Sequence, residues 1–276
     1  MNRQTKIDRT TLIGEGRIAE VFAWKDGQVL KLFRERCPPE WAEYEARIAR
    51  VVHATGLAVP AVGDVIELEG RWGIVYQRVD GPTMMDEFTA RPWTLVRMAR
   101  QLAELHAEMH TRPAPKLPPL RQRLERKIQA ADPLPPDLKE VALADLDRLP
   151  DDDALCHGDF HPDNVLMTAQ GPVIIDWPDA TRGHPLADVA RTSLLIQVGG
   201  LPPGTARRWL IQSFRALFLA IYLRRYFQLR VGQASRRDLA AWQLPVAAGR
   251  LSEDILEERE QVLALVRASC RVKPAP

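Results

Sequence analysis

Apolar and polar residues alternate along the chain up to about Gly81, and apolar residues then recur with helical spacing. The alternation predicts a small sheet whose strands run over residues 11–16, 17–24, 28–33, 65–68 and 72–79. The Lys25-Asp26-Gly27 run between the second and third strands is typical of a hairpin turn. One helix over residues 40–53 interrupts the sheet, because the Pro38-Pro39 pair breaks the strand pattern and can open a helix.

The chain beyond Gly81-Pro82 reads as mostly helical, with proline-rich connections over residues 111–119 and 133–136. Helices are predicted over residues 94–109, 120–131, 137–149, 186–198, 205–230, 236–244 and 251–270, with a short buried strand over residues 172–175. The pattern therefore predicts an α+β protein, with a sheet and one helix over residues 1–80 and mostly helices over residues 81–276, and the length allows one large domain or two smaller ones.

Composition and charge narrow the class of function. The 276 residues are 46% hydrophobic and 27% charged, which is ordinary for a globular protein. The net charge of +2 gives no general basic field, and the paired arginines lack interleaved aromatic residues, so we expect no nucleic-acid partner. The most apolar stretch, residues 214–223, is about half as long as a membrane-spanning helix.

The cysteines and the N-terminus suggest where the protein resides. Cys37, Cys156 and Cys270 are an odd number without metal-like spacing, which favours reduced thiols in a cytoplasmic protein. The first ten residues, MNRQTKIDRT, lack the apolar core of a signal peptide.

Candidate catalytic and metal-binding side chains are concentrated in residues 155–166, LCHGDFHPDNVL, and in the triplet Ile174-Ile175-Asp176. Phosphoryl transfer requires little beyond positioning and charge neutralisation, and these residues can supply both. Asp159 can orient an attacking hydroxyl and accept its proton. Asn164 and Asp176 offer the oxygen ligands that Mg²⁺ prefers. Each piece alone also fits a polar turn or a buried strand, but their order and spacing together favour catalysis.

This pattern resembles the catalytic loop and metal-binding aspartate of the protein-kinase-like superfamily. The His157-Gly158-Asp159 spelling, His161-Pro162 and Asp176-Trp177 resemble its aminoglycoside phosphotransferase and choline kinase-like branch. The resemblance implies a bilobal fold with a small β-rich N-lobe and a larger helical C-lobe that holds the catalytic loop and acceptor site. It also implies ATP or GTP as co-substrate and Mg²⁺ as cofactor.

The resemblance assigns further nucleotide-binding residues in the N-lobe. Gly14 and Gly16 resemble the glycine-rich loop over the phosphates, although Ala19 stands at the third glycine position. Lys31 resembles the lysine that contacts the α- and β-phosphates, and Glu45 is its expected partner, with Glu43 as the rival. Backbone groups of the linking segment, Gln77, Arg78 and Val79, are expected to contact the base.

Two residues are expected to support the catalytic loop. The resemblance implies that His157 braces it and that Asp188 hydrogen-bonds its backbone, and Asp188 also fits a carboxylate favoured by a helix N-terminus. His161 reads as a loop-packing residue, and His53, His106 and His110 read as ordinary surface or packed residues on helices.

The expected acceptor is a small hydroxylated compound, either aminoglycoside-like or amino-alcohol-like. Asp163, Asp179 and the acidic run over residues 253–260 would favour a cation if they faced it, although that run also fits a solvated helix face paired with arginines. A protein kinase is the first alternative, disfavoured because residues 177–185 are too short for a long activation loop. A catalytically idle nucleotide-binding module is the second, disfavoured by the joint presence of Lys31 and the catalytic set.

Overall fold

Five antiparallel strands form the sheet that the alternating pattern predicts. A computed structural model describes residues 9–25, 27–200 and 208–271. The strand order is β1-β2-β3-β5-β4. The strands are β1 (Leu12–Glu15), β2 (Ala19–Ala23), β3 (Gln28–Phe33), β4 (Val62–Leu68) and β5 (Arg71–Gln77). Asp26, the centre of the predicted hairpin turn, lies outside the described residues.

Helix α1 (Pro39–His53) packs on one face of this sheet. Phe33 and Ile74 of the sheet form a core with Ala42 and Ala46 of α1. The opposite face carries a second cluster, to which β3 contributes the intervening residues Leu30 and Leu32. Because side chains alternate along a strand, Lys31 of β3 lies on the α1 side of the sheet, between Leu30 and Leu32 in sequence.

The helical part agrees with the prediction in order and differs in detail. Its helices are α2 (Met84–Ala90), α3 (Leu95–Met109), α4 (Leu120–Gln129), α5 (Pro136–Arg148), α6 (Pro185–Val198), α7 (Arg208–Leu229), α8 (Arg236–Arg250) and α9 (Leu256–Arg271). The short helix α2 was not predicted. Helix α8 does not end at Leu244, the end of the predicted range, but continues through Pro245 to Arg250. Its last turns are buried, so packing outweighs the hydrogen bond that the proline removes.

Two small antiparallel sheets hold the chain around the motif. Strand β6 (Ala154–Cys156) pairs with β9 (Thr181–Gly183), and β7 (Val165–Thr168) pairs with β8 (Gly171–Ile174). The prediction included only the strand now seen as β8. Cys156 in β6 is fully buried, and burial raises the pKa of its thiol, so it behaves as a small apolar residue.

The chain forms two compact units, whose boundary differs from the predicted one at residues 80 and 81. Unit 1 extends to Glu87 and also contains Asp163–Pro178, whereas unit 2 comprises Phe88–Pro162 and Asp179–Pro276. The β7–β8 hairpin belongs to unit 1 because its backbone bonds there, with Met167 N–H donating to Pro82 and Ile174 N–H to Ala58. Within the described ranges, every helix is too short or too polar to cross a membrane.

Candidate active site

Lys31 joins two carboxylates of unit 1 that are far apart in sequence. Its Nζ lies 2.8 Å from Glu45 Oε1 and 2.7 Å from Asp176 Oδ1. Tyr76 adds a hydroxyl that donates to the same Glu45 oxygen over 3.0 Å. Glu45, preferred over Glu43 from the sequence, is therefore the α1 residue that pairs with Lys31. The two partners differ in exposure: the side chain of Glu45 is 3% exposed and that of Asp176 is 43% exposed.

The charge of Lys31 is set by this pair of acids. Burial alone would lower the pKa of Lys31, but the carboxylates of Glu45 and Asp176 outweigh it and hold the pKa above its ordinary value. Burial raises the pKa of Glu45 against the opposing effect of Lys31. The Lys31 ammonium ion is thus held between one buried and one half-exposed carboxylate.

The β7–β8 hairpin places both predicted metal ligands next to each other in the backbone. Val165 begins β7 and pairs with Ile174 at the end of β8, so the residues just outside the ladder face each other. Ile175 N–H donates to the backbone oxygen of Asn164 over 3.0 Å. Asp176 follows with a positive φ of 64°, a conformation that aspartate tolerates better than most residues. An amide oxygen and a carboxylate at one end of a hairpin fit a hard cation such as Mg²⁺.

The glycine pair lies where strand β1 turns into β2. Gly14 pairs with Val21 in the sheet, and Gly16 N–H donates to Ala19 over 2.8 Å to close the turn. Arg34, which the sequence reading did not single out, donates to the Gly16 carbonyl over 3.0 Å. The turn is therefore tied to the residue that follows β3.

In the segment predicted to contact the base, two backbone N–H groups already donate to other parts of the chain. Gln77 N–H donates to Ala61, and Arg78 N–H donates to Gly27, each over 2.9 Å. Among the three predicted residues, Val79 therefore remains as the source of a backbone donor for the base. The role of this segment stays a prediction.

In unit 2, helix α6 holds the catalytic loop through three polar side chains spaced i, i+3 and i+4. Asp188 accepts the N–H groups of His157 (2.6 Å) and Gly158 (2.8 Å), which is the contact expected for it. Arg191 donates to the Gly158 carbonyl over 3.1 Å, and Thr192 donates to a further carbonyl of the loop, that of Phe160, over 2.9 Å. Sequence reasoning missed Arg191 and Thr192, although polar residues at this spacing in an apolar helix are a usable signal.

Asp159 extends from this clamped loop, and its carboxylate is bound on both oxygens. Arg191 Nη2 lies 3.2 Å from Oδ1, and His161 Nε2 lies 3.5 Å from Oδ2. Burial would raise the pKa of Asp159, but His161 and Arg191 outweigh it and hold the pKa well below its ordinary value. His161 therefore contacts the acid as well as packing in the loop. The Asp159 N–H also donates to His157 Nδ1 over 3.2 Å, so His157 braces the loop from within.

A buried network behind Asp188 was not foreseen from the sequence. His106 Nε2 lies 3.1 Å and His110 Nε2 lies 3.4 Å from Asp188 Oδ2, and neither imidazole is an ordinary surface group. Their Nδ1 atoms are hydrogen-bonded to the hydroxyls of Tyr222 (2.5 Å) and Tyr226 (2.8 Å) of α7. Burial lowers the pKa of His110 to about 3, so it is neutral near pH 7 and donates to the carboxylate through Nε2. The one-turn spacing of the two histidines was visible in the sequence, but nothing there identified their acid.

The acids expected to attract a cation are largely ion-paired within unit 2. Asp179 bonds to Arg123, and Glu253 Oε1 lies 2.8 Å from Arg191 and 3.1 Å from Lys127. Glu258 is buried against Arg250. Glu257 and Glu260 are exposed, as a solvated helix face would be.

Comparison with known proteins decides the family. The model of the phosphotransferase enzyme family (APH) matches residues 9–241. The chain belongs to the phosphotransferase enzyme family. This agrees with the resemblance found in the catalytic loop, which lies within the matched range.

The solved structures similar to this family member share its kinase-like fold. Aminoglycoside phosphotransferase APH(4)-Ia, in a ternary complex with ADP and hygromycin B, is 18% identical, with 94% of this chain and 91% of that chain covered and a TM-score of 0.63. Amicoumacin kinase hAmiN, in complex with AMP-PNP, Ca²⁺ and Ami, is 14% identical over 98% and 90% of the two chains, with a TM-score of 0.63. A choline/ethanolamine kinase family protein from Mesorhizobium loti is 20% identical over 92% and 85%, with a TM-score of 0.56.

One curated protein matches over a short segment. Acyl-CoA dehydrogenase family member 11 of Gallus gallus is 43% identical over 61 residues, which are 20% of this chain and 8% of that protein. The chain therefore matches only a small part of that relative's length, and the activity in its name belongs to the whole protein.

Proposed function

We propose that this phosphotransferase family member transfers the γ-phosphoryl group of ATP to a hydroxyl of a small molecule. The observation that carries the proposal is Lys31, which is bonded to Glu45 and Asp176 at once. A lysine fixed between a buried acid and a half-exposed acid is placed to bind a phosphate and to leave the second acid for a metal. The ADP and AMP-PNP complexes of the structural neighbours support a nucleotide as co-substrate.

Asp159 is the group proposed to act on the acceptor. Its carboxylate accepts the hydrogen bond of the acceptor hydroxyl and so directs the oxygen lone pair toward the γ-phosphorus. A bond forms between that oxygen and the γ-phosphorus while the bond from the phosphorus to the β,γ-bridging oxygen breaks, and the nucleoside diphosphate leaves with that bonding pair. The hydroxyl proton passes to Asp159, which returns it to water. Because its pKa lies below the ordinary range, Asp159 is ionised and ready to accept the next hydroxyl.

Asn164 and Asp176 are the residues that would hold Mg²⁺, and the oxygen donors they present fit it. When bound, the ion supplies neutralisation of charge on the phosphates. Gly14 and Gly16 would place backbone N–H groups near the phosphates, and the backbone at Val79 would contact the base. ATP is proposed over GTP because the neighbours contain adenine nucleotides.

The proposed acceptor is a small hydroxylated compound such as an aminoglycoside or amino alcohol. The support is that two structural neighbours are complexes that contain hygromycin B and Ami beside an adenine nucleotide. Asp179 and Glu253 add less support for a cation than the sequence suggested, because Arg123, Arg191 and Lys127 already neutralise them.

The test is a turnover assay with Mg-ATP against cationic and neutral hydroxyl compounds, including aminoglycosides, choline, ethanolamine and sugars. We expect at least one compound to be phosphorylated by the wild type. Asp159→Asn should lower that turnover by about 10²–10⁴-fold, the usual contribution of a general base. Asp147→Asn, at an exposed position of α5, is the matched control and should keep wild-type turnover. Near-wild-type turnover by Asp159→Asn would contradict the role of Asp159, and phosphorylation of a folded protein instead of any small compound would contradict the proposed acceptor.

A further inference from the structure

Arg191 is a buried residue of α6 whose side chain contacts the catalytic loop. Its side chain makes three contacts: Nε donates to the Gly158 carbonyl over 3.1 Å, Nη2 lies 3.2 Å from Asp159 Oδ1, and Nη2 lies 2.8 Å from Glu253 Oε1. The residue is 7% exposed, so these contacts replace the water that a guanidinium would otherwise bind.

Its two neighbours on the same helix face make a different kind of contact. Asp188 and Thr192 are bonded to backbone groups of the loop. Arg191 is bonded both to the loop backbone and to that carboxylate. Of the three residues that clamp the loop, Arg191 is therefore the one able to set the direction of the acid as well as the shape of the loop.

Glu253 fixes the guanidinium from the opposite side. It lies in the 3₁₀ turn after α8 (Leu251–Glu253), and its carboxylate is itself bonded to Lys127 and Arg250. A planar guanidinium presents its donors in a rigid fork, so an anchor on one side determines where the other donors point. The turn after α8 and the catalytic loop are thus coupled through a single side chain.

We infer that Arg191 is a positioning residue that holds the Asp159 carboxylate in its working orientation, with Glu253 as the anchor of Arg191. This inference rests on the proposed role of Asp159 in transfer. It adds a residue that neither the catalytic-loop motif nor the predicted metal ligands contain.

The charge of Arg191 gives the inference a readout that a purely structural residue would not move. The ionisable groups that lower the pKa of Asp159 include Arg191 of α6 and His157 and His161 of the loop itself. Burial raises the pKa of Asp159, and Arg191 is one of the groups that oppose it. Removing the positive charge should therefore raise the pKa of Asp159 and shift the acidic limb of the kcat/KM profile to higher pH.

The experiment titrates the Asp159 carboxyl by ¹³C NMR in the wild type, Arg191→Gln, Arg191→Lys and Thr192→Val, with the signal assigned from its loss in Asp159→Asn. We expect the pKa of Asp159 to rise in Arg191→Gln toward the ordinary value of about 3.9. Thr192→Val removes a bond to the same loop without changing charge, so it should leave that pKa unmoved. The kcat should fall about 10²-fold in Arg191→Gln with the KM for nucleotide unchanged, because misplacement affects transfer and not binding.

Arg191→Lys keeps the positive charge but lacks the planar set of guanidinium donors. If Arg191→Gln does not fold, Arg191→Lys still tests the inference. It should keep the low pKa of Asp159 while its kcat falls, and Glu253→Gln should lower kcat in the same direction by a smaller factor. An unchanged pKa in Arg191→Gln, an equal shift in Thr192→Val, or a wild-type kcat in Arg191→Lys would overturn the inference. A wild type that phosphorylates no compound would defeat the proposed function instead, and the titration would still test the contact between Arg191 and Asp159.

Discussion

The charged groups of the two units are held in opposite ways. In unit 1, Lys31 and Asp176 meet side chain to side chain, and Asp176 is nearly half exposed. In unit 2, the side chain of Asp188 is 0% exposed and is bonded to two backbone N–H groups of the catalytic loop and to His106 and His110. The half-exposed carboxylate of Asp176 can exchange Lys31 for another partner at little cost. Breaking the bonds of Asp188 would instead leave an unpaired charge buried, which is unfavourable.

This difference matches what each group is proposed to do. Lys31 and Asp176 must release each other when phosphate and metal bind, and water can replace part of an exposed ion pair. Asp188 must keep the loop around Asp159 in one shape. Gly158 shows how closely this loop is packed: its φ is +81°, and a Cβ there would lie 2.5 Å from the Asp179 carbonyl oxygen. Substitutions at the exchangeable Lys31 pair in unit 1 are therefore expected to change nucleotide kinetics, whereas substitutions in the buried Asp188 network of unit 2 are expected to change stability.

The largest effect expected on the use of the nucleotide is that of Lys31→Met. The loss of a charged hydrogen bond to phosphate costs about 1.5–3 kcal/mol, so kcat/KM for Mg-ATP should fall roughly 10–10²-fold. Steady-state kinetics with the acceptor found in the turnover assay measure it. Lys25→Met, at an exposed position before the β2–β3 turn, should retain wild-type kinetics. Equal kcat/KM values for Lys31→Met and Lys25→Met would remove Lys31 from the nucleotide site.

Asp188→Asn should affect stability more than nucleotide affinity. Asn keeps the shape but directs an NH₂ group at the donors that Asp188 now accepts, and breaking a buried charged contact costs about 3–5 kcal/mol. Urea unfolding should show this loss, whereas the exposed substitution Asp147→Asn should change stability by less than about 0.5 kcal/mol. A wild-type unfolding midpoint for Asp188→Asn would show that the network does not hold the loop.

His110 is expected to make the stability of the protein depend on pH. Its pKa is about 3 in the folded protein and near 6.5 in the unfolded chain, so below pH 6.5 the unfolded state takes up a proton that the folded state does not. Its contribution is present above pH 6.5 and is lost as pH falls toward 3, by roughly 1 kcal/mol per pH unit. Urea unfolding between pH 6.5 and 4.5, above the range where Asp188 begins to lose its own contribution, should show a shallower slope for His110→Gln than for wild type. Parallel slopes would mean that His110 is charged in the folded protein.

Most of unit 1 could be predicted from the sequence because its signals are local. Alternation along β3 predicted that Lys31 lies on the inward face of the sheet, and the resemblance favoured Glu45 over Glu43 as its partner. The contact of Lys31 with Asp176 was not predicted, because the two residues are distant in the chain.

The supporting residues of unit 2 were harder to predict because their partners are not local. His106 and His110 of α3, Tyr222 and Tyr226 of α7 and Asp188 of α6 meet only after three helices have packed. The extension of α8 past Pro245 has the same cause, because burial of the following turns outweighs a local helix-breaking signal. Composition likewise does not show which charged residues form ion pairs, such as Arg191 with Glu253. It showed only that positive and negative charges nearly balance.

Nucleotide titration by calorimetry most directly tests the central proposal, that Asp176 serves nucleotide binding and Asp159 serves transfer. The measurement compares wild type, Asp159→Asn and Asp176→Asn with ATP at saturating Mg²⁺. We expect Asp159→Asn to bind Mg-ATP as tightly as wild type does and Asp176→Asn to lose the metal-dependent part of the affinity. Absence of Mg-ATP binding by the wild type, or an equal loss of affinity in both variants, would contradict the proposal.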